Sequence, residues 1–491
     1  MKVMSRLSDS QIDSIARQVL SRLGSPGGHA GLEPLLTRDG AHALERKGQL
    51  PPGVFRSIDE CVAAAREAFV TFGRLGLEKR KVIIEAIRVS MRKHAEDLAR
   101  EAHEETGLGR VESKILKNLL VTNKTPGPEE LEPIAWSGDH GLTLVERAPF
   151  GVIAAITPTT NPTSTIICNS IGMLSAGNTV VFNVHPSARR VSCRNVGLIN
   201  EAIMAVGGPP NCVTAMAEPT IESAGELMKH KGIRLLVVTG GPHVVKAAMA
   251  SGKRAVCAGP GNPPVVVDET ADIDKSAANI VKGASLDNNV ICVDEKEIFA
   301  VESVADRLLK GMQKHGAYLL TGPQERAITK VLFAETRGPG KPGVINKQWV
   351  GKDARVILEQ IGVRVDSAIK LAVMDVDVSH PLIWTEQLLP VIPLARVKNA
   401  DEAIDWAVKA EHGFGHSASM HSMHLGNLSR MAREMNCSIF VKNGPICAGL
   451  GAGGEGYTSF SIASPTGEGL TGPRTFSRER RCTLVDHFRI V

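Results

Sequence analysis

The chain has 491 residues, of which 43% are hydrophobic and 22% are charged, as in ordinary globular proteins. This composition excludes a chain that is disordered throughout. The 57 Lys and Arg residues exceed the 52 Asp and Glu residues by only five, too few for the electrostatic footprint of a nucleic-acid-binding protein. No apolar run reaches the roughly 18 residues of a membrane-spanning helix, so we expect none.

Cysteine usage and the first residues indicate the compartment. The nine cysteines are an odd number, and none belongs to a Cys-x-x-Cys motif. This pattern argues against a disulfide framework or a structural zinc site and favours a reducing environment. The opening stretch MKVMSRLSDSQIDS lacks the apolar segment of a secretion signal. We therefore expect a cytoplasmic α/β enzyme or carrier without a metal site.

The first 52 residues are predicted to form a helix and a linker. Over residues 8–23, Ser8 and Gln11 match a capping box, and Gly24 follows as a suitable end. The apolar residues of this segment recur at helical spacing: Ile12, Ile15, Ala16, Val19, Leu20 and Leu23. Residues 24–52 are rich in Gly and Pro, which is typical of a flexible linker. The helix either packs on the chain's own domain or docks on a partner.

From residue 57 the pattern changes to helices and then to alternating strands and helices. Ser57 and Glu60 match a capping box before an Ala-rich helix that ends near Phe72, and one long helix is predicted over 77–105. Apolar strand segments are then each followed by a helical pattern: 178–184 by 193–206, 234–240 by 242–250, and 263–268 by 271–282. Alternation of this kind is typical of parallel sheets covered by helices.

Cys292 has the best context for chemistry among the nine cysteines. It follows the polar, Asn-rich stretch SLDNN and precedes the strand-like segment EIFAV. A cysteine on a loop at a strand edge can be reached by a substrate. The alternative is a half-buried structural thiol, and the sequence context by itself leaves both open.

Asn161 lies between an apolar strand pattern and a helix that begins near Pro162. Asn is a good helix cap, and Pro suits the first helical turn. A side-chain amide at the carboxyl end of a strand is also well placed to stabilise an oxyanion. Both interpretations, the cap and the oxyanion donor, stay open at this point.

Two further segments carry weak patterns. The segment VVTGGPHVV (237–245) places a glycine pair between a strand and a helix start, where backbone N–H groups suit a phosphate. It lacks the Gly-x-Gly-x-x-Gly fingerprint of dinucleotide sites. The stretch 411–424 contains His412, His416, His421 and His424, but no spacing in it matches a known metal-ligand pattern.

Seven segments, in this order, resemble the aldehyde dehydrogenase superfamily, and most specifically its CoA-acylating branch from bacterial microcompartments. They are ITPTTNPT (156–163), FNVHPSA (182–188), VVTGGP (237–242), AGPGNPP (258–264), NNVIC (288–292), TEQLLP (385–390) and FVKNGPICAGLG (440–451). The resemblance covers about residues 53–491. Each segment alone is a weak signal, whereas all seven in register over about 300 residues are specific.

The resemblance implies roles for particular residues. Cys292 corresponds to the family nucleophile, and Asn161 corresponds to the amide that holds the thiohemiacetal oxygen. The residues implied to bind NAD are Thr157, Pro158 and Thr159, then His185, Pro186 and Ser187 near the adenosine ribose, then Thr239, Gly240 and Gly241 at a helix start, and Glu386 at the nicotinamide ribose.

Two departures from the family pattern bear on the reaction. Hydrolytic members carry a water-activating glutamate at a position that corresponds to Cys257. A thiol is a poor base for water, so the acyl-enzyme should persist until a better nucleophile such as the CoA thiol arrives. The segment 216–219, Met-Ala-Glu-Pro, replaces the usual Gly-x-Gly beside the cofactor phosphates, which leaves the choice between NAD and NADP open.

The resemblance also implies the architecture. We expect an α/β fold like that of aldehyde dehydrogenases, with a doubly wound cofactor domain, an α/β catalytic domain and a β-arm for oligomerisation. The expected boundaries are 1–23 for a targeting helix, 24–52 for the linker, 53–130 and 150–256 for the cofactor domain, 257–450 for the catalytic domain, and 131–149 with 451–491 for the arm and tail. The arm should pair with the terminal strand, 482–491, of a neighbour in a homodimer or homotetramer.

The implied reaction oxidises a short aliphatic aldehyde, propanal or acetaldehyde, with NAD and coenzyme A to acyl-CoA and NADH through a cysteine thioester. One alternative is a hydrolytic enzyme that releases the free acid. A second is a structural protein of the same fold, which the presence of both Cys292 and Asn161 disfavours. The N-terminal helix resembles those that dock to microcompartment shell proteins, so we expect a cytoplasmic protein inside a microcompartment, with no nucleic-acid or membrane partner.

Overall fold

A computed structural model describes residues 50–491 of the chain. The helix predicted over residues 8–23 and the linker up to residue 49 lie outside the described residues. Elements within the described part are numbered in chain order. The helices are α1 (Ile58–Phe72), α2 (Leu77–Lys93), α3 (Ala95–Thr106), α4 (Val111–Lys124), α5 (Pro162–Ser175), α6 (Arg189–Ala205), α7 (Ile221–Lys229), α8 (Pro242–Met249), α9 (Ile273–Ala284), α10 (Glu302–Lys314), α11 (Gly322–Leu332), α12 (Ala354–Glu359), α13 (Ala400–Ala410) and α14 (Leu425–Met435).

The strands are short, and most lie in two sheets. They are β1 (Val54–Phe55), β2 (Ile134–Gly138), β3 (Gly141–Pro149), β4 (Val152–Ile156), β5 (Thr179–Asn183), β6 (Val213–Met216), β7 (Leu235–Thr239), β8 (Ala255–Ala258), β9 (Pro264–Val267), β10 (Glu297–Val301), β11 (Ala317–Leu319), β12 (Phe333–Glu335), β13 (Val344–Ile345), β14 (Leu371–Val376), β15 (Val391–Val397), β16 (Ser417–His421), β17 (Ile439–Lys442), β18 (Ile462–Ala463), β19 (Gly469–Leu470) and β20 (Ser477–Val485).

Local signals in the sequence set the ends of the first helices. The predicted capping box is present, because Glu60 N–H donates to Ser57 Oγ while the Glu60 carboxylate accepts from Ser57 N–H. The prediction of a single helix over 77–105 is wrong, because the helix is interrupted at His94 (φ −100°, ψ 8°), which separates α2 from α3. Helix α3 ends at Gly107 in the left-handed region (φ 66°), which glycine adopts without steric cost.

Two parallel sheets form the framework. The first has six strands in the order β1-β6-β5-β4-β7-β8, and the second has seven in the order β11-β14-β15-β10-β9-β16-β17. Every neighbouring pair in both sheets is parallel, with Ile156 of β4 opposite Asn183 of β5 at the carboxyl edge of the first sheet. The predicted α/β fold is therefore confirmed.

Apolar cores lie on both faces of the first sheet and around the second. On one face of the first sheet, α1, α7 and α8 pack against side chains that include Val152, Val181 and Cys257. The opposite face packs on α5, a helix whose residues are all buried, together with Phe460 and Phe476 from the C-terminal part of the chain. The second sheet carries its own core with α9, α10 and α13. Parallel sheets covered on both faces show such continuous apolar strands.

A three-stranded antiparallel sheet, β2-β3-β20, extends from this framework. Strand β20 pairs with β3 of the same chain over nine residues, which corrects the prediction that residues 482–491 pair with a neighbour. Asn178 joins the roots of the two strands, because its Oδ1 accepts from Phe150 N–H (2.7 Å) and its Nδ2 donates to Phe476 O (2.8 Å). Asn178 therefore holds the start of β20, just after Phe476, next to the end of β3.

Candidate active site

A cavity of about 720 Å³ lies at the carboxyl edge of the first sheet, between the two sheets. Open parallel sheets bind ligands at this edge. The cavity is lined by every site residue predicted from the sequence except one: Thr157, Pro158, Thr159, Asn161, His185, Pro186, Thr239, Gly240, Gly241, Cys292 and Glu386. The exception is Ser187, which is exposed and donates its N–H to His185 Nδ1 (3.2 Å).

One side of the cavity, here called the cofactor wall, consists of residues 157–159, 185–186 and 239–241. The buried hydroxyls of Thr157 and Thr159 have no hydrogen-bond partner among residues 50–491. Gly241 precedes α8 without any side-chain cap, so the first N–H groups of that helix are free to bind an anion. These free donors fit a dinucleotide with a pyrophosphate and ribose hydroxyls.

Asn161 precedes α5 but does not cap it, since its side chain makes no hydrogen bond to the first turn. Its Oδ1 instead accepts from Lys117 Nζ (2.7 Å), and its Nδ2 donates to Thr160 Oγ1 (3.2 Å). The side chain is 7% exposed and lines the cavity. The capping interpretation therefore loses its support, and one N–H of the amide has no partner among the described residues.

The other side of the cavity is lined by Val290, Ile291, Cys292, Glu386 and His416. We call these residues, together with the whole loop 287–296 that carries Cys292, the nucleophile wall. It begins with three consecutive left-handed residues, Asp287 (φ 47°), Asn288 (φ 56°) and Asn289 (φ 65°). Asn and Asp tolerate this conformation better than other residues with a Cβ. The run turns the chain sharply before Cys292, so the Asn-rich stretch seen in the sequence has a conformational purpose.

Buried side chains hold the residues next to Cys292 in place. Lys296 is fully buried and donates to Asn289 Oδ1 (2.6 Å), to Asn289 O (3.0 Å) and to Ile291 O (3.2 Å). Asp294 Oδ2 accepts from Ile291 N–H (3.0 Å). Because both the amide and the carbonyl of Ile291 are engaged, the backbone immediately before Cys292 is held in place.

The Cys292 thiol is half-buried and reaches the cavity. Desolvation raises the pKa of this thiol to about 12, with a further contribution from the negative charge of Glu386 and an opposing one from Lys296. Desolvation also raises the pKa of Glu386, whose Oε1 accepts from Gly261 N–H (3.3 Å). The resting thiol is therefore protonated at neutral pH and needs a proton acceptor to react.

His416 lines the same cavity, although sequence reasoning had considered it only as a metal ligand. A Cβ built on Gly261 would lie 2.8 Å from His416 Cγ and 3.0 Å from Cys292 O, so the imidazole and the nucleophile loop flank this glycine. Burial lowers the pKa of His416 to about 4, which leaves a neutral ring at pH 7. Over residues 50–491, no three His, Cys, Asp or Glu side chains are grouped as metal ligands.

Cys257 belongs to the core rather than to the cavity. Its side chain is fully buried in the apolar cluster under α1, α7 and α8, and burial raises the pKa of its thiol to about 11. Its backbone N–H is bound by Thr466 Oγ1 (2.9 Å). A core thiol of this kind has no access to the substrate.

Comparison with known proteins places this fold and site. The model of the family described as "Aldehyde dehydrogenase family" matches residues 46–460. The acetylating acetaldehyde dehydrogenase EutE of Salmonella typhimurium is 50% identical over 440 residues, which are 89% of this chain and 94% of that protein. The chain belongs to the aldehyde dehydrogenase family.

Two solved structures are similar throughout. The propionaldehyde dehydrogenase of Rhodopseudomonas palustris, with bound CoA and an acylated cysteine, is 48% identical, with a TM-score of 0.86 over 88% of this chain and 98% of that chain. A propionaldehyde dehydrogenase from the fucose utilisation bacterial microcompartment of Clostridium phytofermentans is 47% identical, with a TM-score of 0.87 over 90% of this chain and 100% of that chain.

Proposed function

We infer that the protein oxidises a short aliphatic aldehyde with NAD and coenzyme A to give acyl-CoA and NADH through a cysteine thioester. The observation that carries this inference is the meeting of Cys292 and Asn161 in one cavity with the free donors of the cofactor wall. The similar proteins named above include an acetylating dehydrogenase and an enzyme with bound CoA and an acylated cysteine, which supports thiolysis over hydrolysis.

Cys292 is the nucleophile in this account. Its thiolate attacks the aldehyde carbonyl, and the oxygen that becomes negative is held by Asn161 Nδ2, the donor on the cavity side. The thiol proton is lost to the solvent in the cavity as the thiolate forms, and the negative charge of Glu386 opposes that loss because it raises the Cys292 pKa. The product of attack is a thiohemiacetal, which becomes a thioester once its hydride has left.

The cofactor wall binds NAD, which supplies the hydride acceptor. Thr157 and Thr159 offer unpartnered hydroxyls, and the uncapped start of α8 offers backbone N–H groups to the pyrophosphate. His185 and Pro186, which line the cavity where β5 ends, would hold the adenosine ribose, and Glu386, which also lines the cavity, would hold the nicotinamide ribose.

Release of the acyl group requires the CoA thiol. Where hydrolytic relatives carry a water-activating glutamate, this chain carries Cys257, and that side chain is buried in the core. His416 is neutral and adjoins the nucleophile loop, so it is placed to accept a hydrogen bond from the incoming thiol, while the thiol proton ends on the departing Cys292 sulfur. The acyl group is then transferred from the Cys292 sulfur to the CoA sulfur, and Cys292 returns to its resting state as a thiol.

The test is a product assay with propanal and with acetaldehyde. We expect acyl-CoA and NADH in equal amounts, initial-rate patterns of a ping-pong mechanism, and propanal preferred over acetaldehyde in kcat/KM. Free acid formed at the same rate without CoA would establish the hydrolytic alternative. Absence of both NADH and NADPH, with NAD and NADP each supplied in turn and any short aldehyde, would leave only the structural-protein alternative.

We further propose that the N-terminal segment directs the enzyme into a bacterial microcompartment. Its apolar stripe over residues 8–23 is separated from the family match by a Gly- and Pro-rich stretch, and one similar structure comes from such a compartment. Deleting residues 1–23 should leave kcat and KM unchanged but abolish co-packaging with shell proteins, whereas the same residues should direct a fluorescent protein there. An inactive or unfolded truncated enzyme would contradict this.

The oligomer is proposed to be a homodimer or homotetramer. The small antiparallel sheet exposes large apolar side chains, with Trp136 at 53% and Val485 at 61% exposure. Exposed apolar clusters of this kind favour subunit contact. Light scattering after size-exclusion chromatography should give two or four chains, and Trp136→Arg should shift the particle toward the monomer, while a wild-type monomer would contradict the proposal.

In residues 50–491, no helix has both the length and the hydropathy needed to cross a membrane.

A further inference from the structure

Three charged side chains are buried together beneath the cavity. Lys114 and Lys117 of α4 are 2% and 4% exposed, and Asp287 at the start of the nucleophile wall is fully buried. Both ammonium groups contact Asp287 Oδ2, Lys114 at 3.1 Å, and Asp287 Oδ1 accepts from Arg110 N–H (2.7 Å). Buried charges are costly unless paired, and here two cations share one anion.

Only one of the two lysines reaches the cavity residues. Lys117 Nζ donates to Asn161 Oδ1 at 2.7 Å and lies 3.4 Å from Thr160 O. An ammonium group can only donate, so the amide oxygen of Asn161 must face it, and the amide nitrogen must face the other way. Without this contact both orientations of the amide would be open, and one of them would present an acceptor instead of a donor.

The cluster also has an electrostatic consequence. The ammonium group of Lys117 lies directly against the amide oxygen of Asn161, in a region away from water, whereas Lys114 contacts only Asp287. Such a charge polarises the amide toward an oxyanion formed in front of it, and preorganised dipoles of this kind act without reorganisation during the reaction. Burial makes each interaction stronger than it would be at the surface.

We propose that Lys117 is a positioning residue for the acylation step: it fixes Asn161 with its N–H₂ toward the substrate oxygen and polarises that donor. The proposal rests on the role of Asn161 in the proposed function. Lys114 has the same partner in Asp287 but no contact with Asn161, so it serves as the matched control for loss of a buried ammonium group.

The experiment compares Lys117→Met with Lys114→Met in the full chain. Each variant is measured for thermal unfolding, for steady-state kcat and KM, and for the rate of the first NADH turnover. We expect Lys117→Met to slow the first turnover about 10- to 100-fold, less than the loss of a whole oxyanion donor, with KM for NAD unchanged. For Lys114→Met, the rate of the first turnover should stay within about twofold of wild type. Loss of this buried ammonium group affects stability, but Lys114 has no contact with Asn161 through which it could change the rate.

A double-mutant cycle with Asn161→Ala separates the two hypotheses. In the Asn161→Ala background Lys117→Met should slow the first turnover by less than about twofold, since its target is gone. If the two losses multiply, or if Lys117→Met alone matches Lys114→Met, Lys117 is only structural and the proposal is wrong. A normal rate for Asn161→Ala alone would instead overturn the proposed role of Asn161.

Failure of the methionine variants to fold would not end the test. Lys117→Gln and Lys114→Gln keep a polar group in each position, and glutamine is one bond too short to reach Asn161 Oδ1. The same difference between the two positions is expected for this pair. Equal effects at both positions would again overturn the proposal.

Discussion

The two walls of the cavity are built in different ways. The cofactor wall has no acidic side chain, and it contains the hydroxyls of Thr157 and Thr159, which lack partners in the described structure, and the uncapped backbone N–H groups at the start of α8. The nucleophile wall is crowded with buried ionisable side chains, including Asp287, Asp294 and Lys296, and both backbone groups of Ile291, the residue before Cys292, are engaged.

This difference reflects what each wall has to do. A wall that binds a cofactor keeps its hydrogen-bond donors free until the cofactor arrives. While the cofactor is absent, these buried donors without partners lower the stability of the protein. A wall that carries a nucleophile must hold one atom within a fraction of an ångström, and the hydrogen bonds that Lys296 and Asp294 make to the nucleophile loop provide that rigidity. Substitutions in the nucleophile wall should therefore lower kcat, whereas those in the cofactor wall should raise KM.

The largest effect is expected from Cys292→Ser. A hydroxyl is a far weaker nucleophile than a thiolate, so NADH formation from propanal and CoA should fall by at least about 10³-fold. Cys257→Ser makes the same exchange in the core and should keep most of the activity. The reverse pattern, with activity lost only in Cys257→Ser, would show that the nucleophile has been assigned to the wrong cysteine.

Asn161→Ala should lower kcat by about 10²–10³-fold, the usual loss for one oxyanion donor. Asn161 makes no capping bond, but its loss leaves the buried Lys117 without one acceptor, so the free energy of unfolding should fall by about 1–3 kcal/mol. Asn118→Ala provides the control, since that buried amide joins Ala95 O and Thr163 Oγ1 and should cost about 1–3 kcal/mol of stability without lowering kcat. Lower stability with unchanged kcat in Asn161→Ala would contradict the donor role.

Thr159→Val should raise KM for NAD by about three- to tenfold, the value of one hydrogen bond, and leave kcat unchanged. Its hydroxyl is buried without a partner, so the variant should be at least as stable as wild type. Thr165→Val removes a similar unpartnered hydroxyl inside α5, away from the cavity, and should leave KM unaltered. If both variants behave alike in NAD titrations, the free hydroxyl at position 159 does not contact the cofactor.

The smallest effect concerns the pH dependence of the Cys292 thiol. Because its pKa is raised to about 12, the thiolate fraction and the rate of alkylation by iodoacetamide should rise about tenfold per pH unit from pH 7 to 9. The carboxylate of Glu386 raises this pKa, so Glu386→Gln should lower the pKa and speed alkylation at pH 8 about threefold. Peptide mass spectrometry isolates the Cys292 signal from other thiols. A plateau below pH 8 would contradict the raised pKa.

The cofactor wall could be predicted from the sequence because its signals are local. A strand followed by Gly or Pro and then a helix start, as at 237–245, places backbone donors at a sheet edge whatever the rest of the chain does. The seven segments that resemble the family then predict the order of the strands and helices, and the structure confirms the two parallel sheets that they imply.

The nucleophile wall could be predicted only in part. Cys292 was identified from its loop, but Lys117 meets Asp287 across 170 positions in the chain, and nothing local in α4 distinguishes a buried lysine from a solvated one. His416 was missed as a cavity residue for the same reason. The intrachain pairing of β3 with β20 depends on Asn178, another contact that is distant in sequence.

The most direct test of the central claim is a rapid-mixing experiment with propanal and NAD in the absence of CoA. The account predicts one burst of NADH per active chain, then arrest, with a propionyl group on the peptide that contains Cys292. Adding CoA should discharge that group as propionyl-CoA and restart turnover. Continuous NADH formation without CoA, with propionate as the product and no acyl group on Cys292, would contradict it.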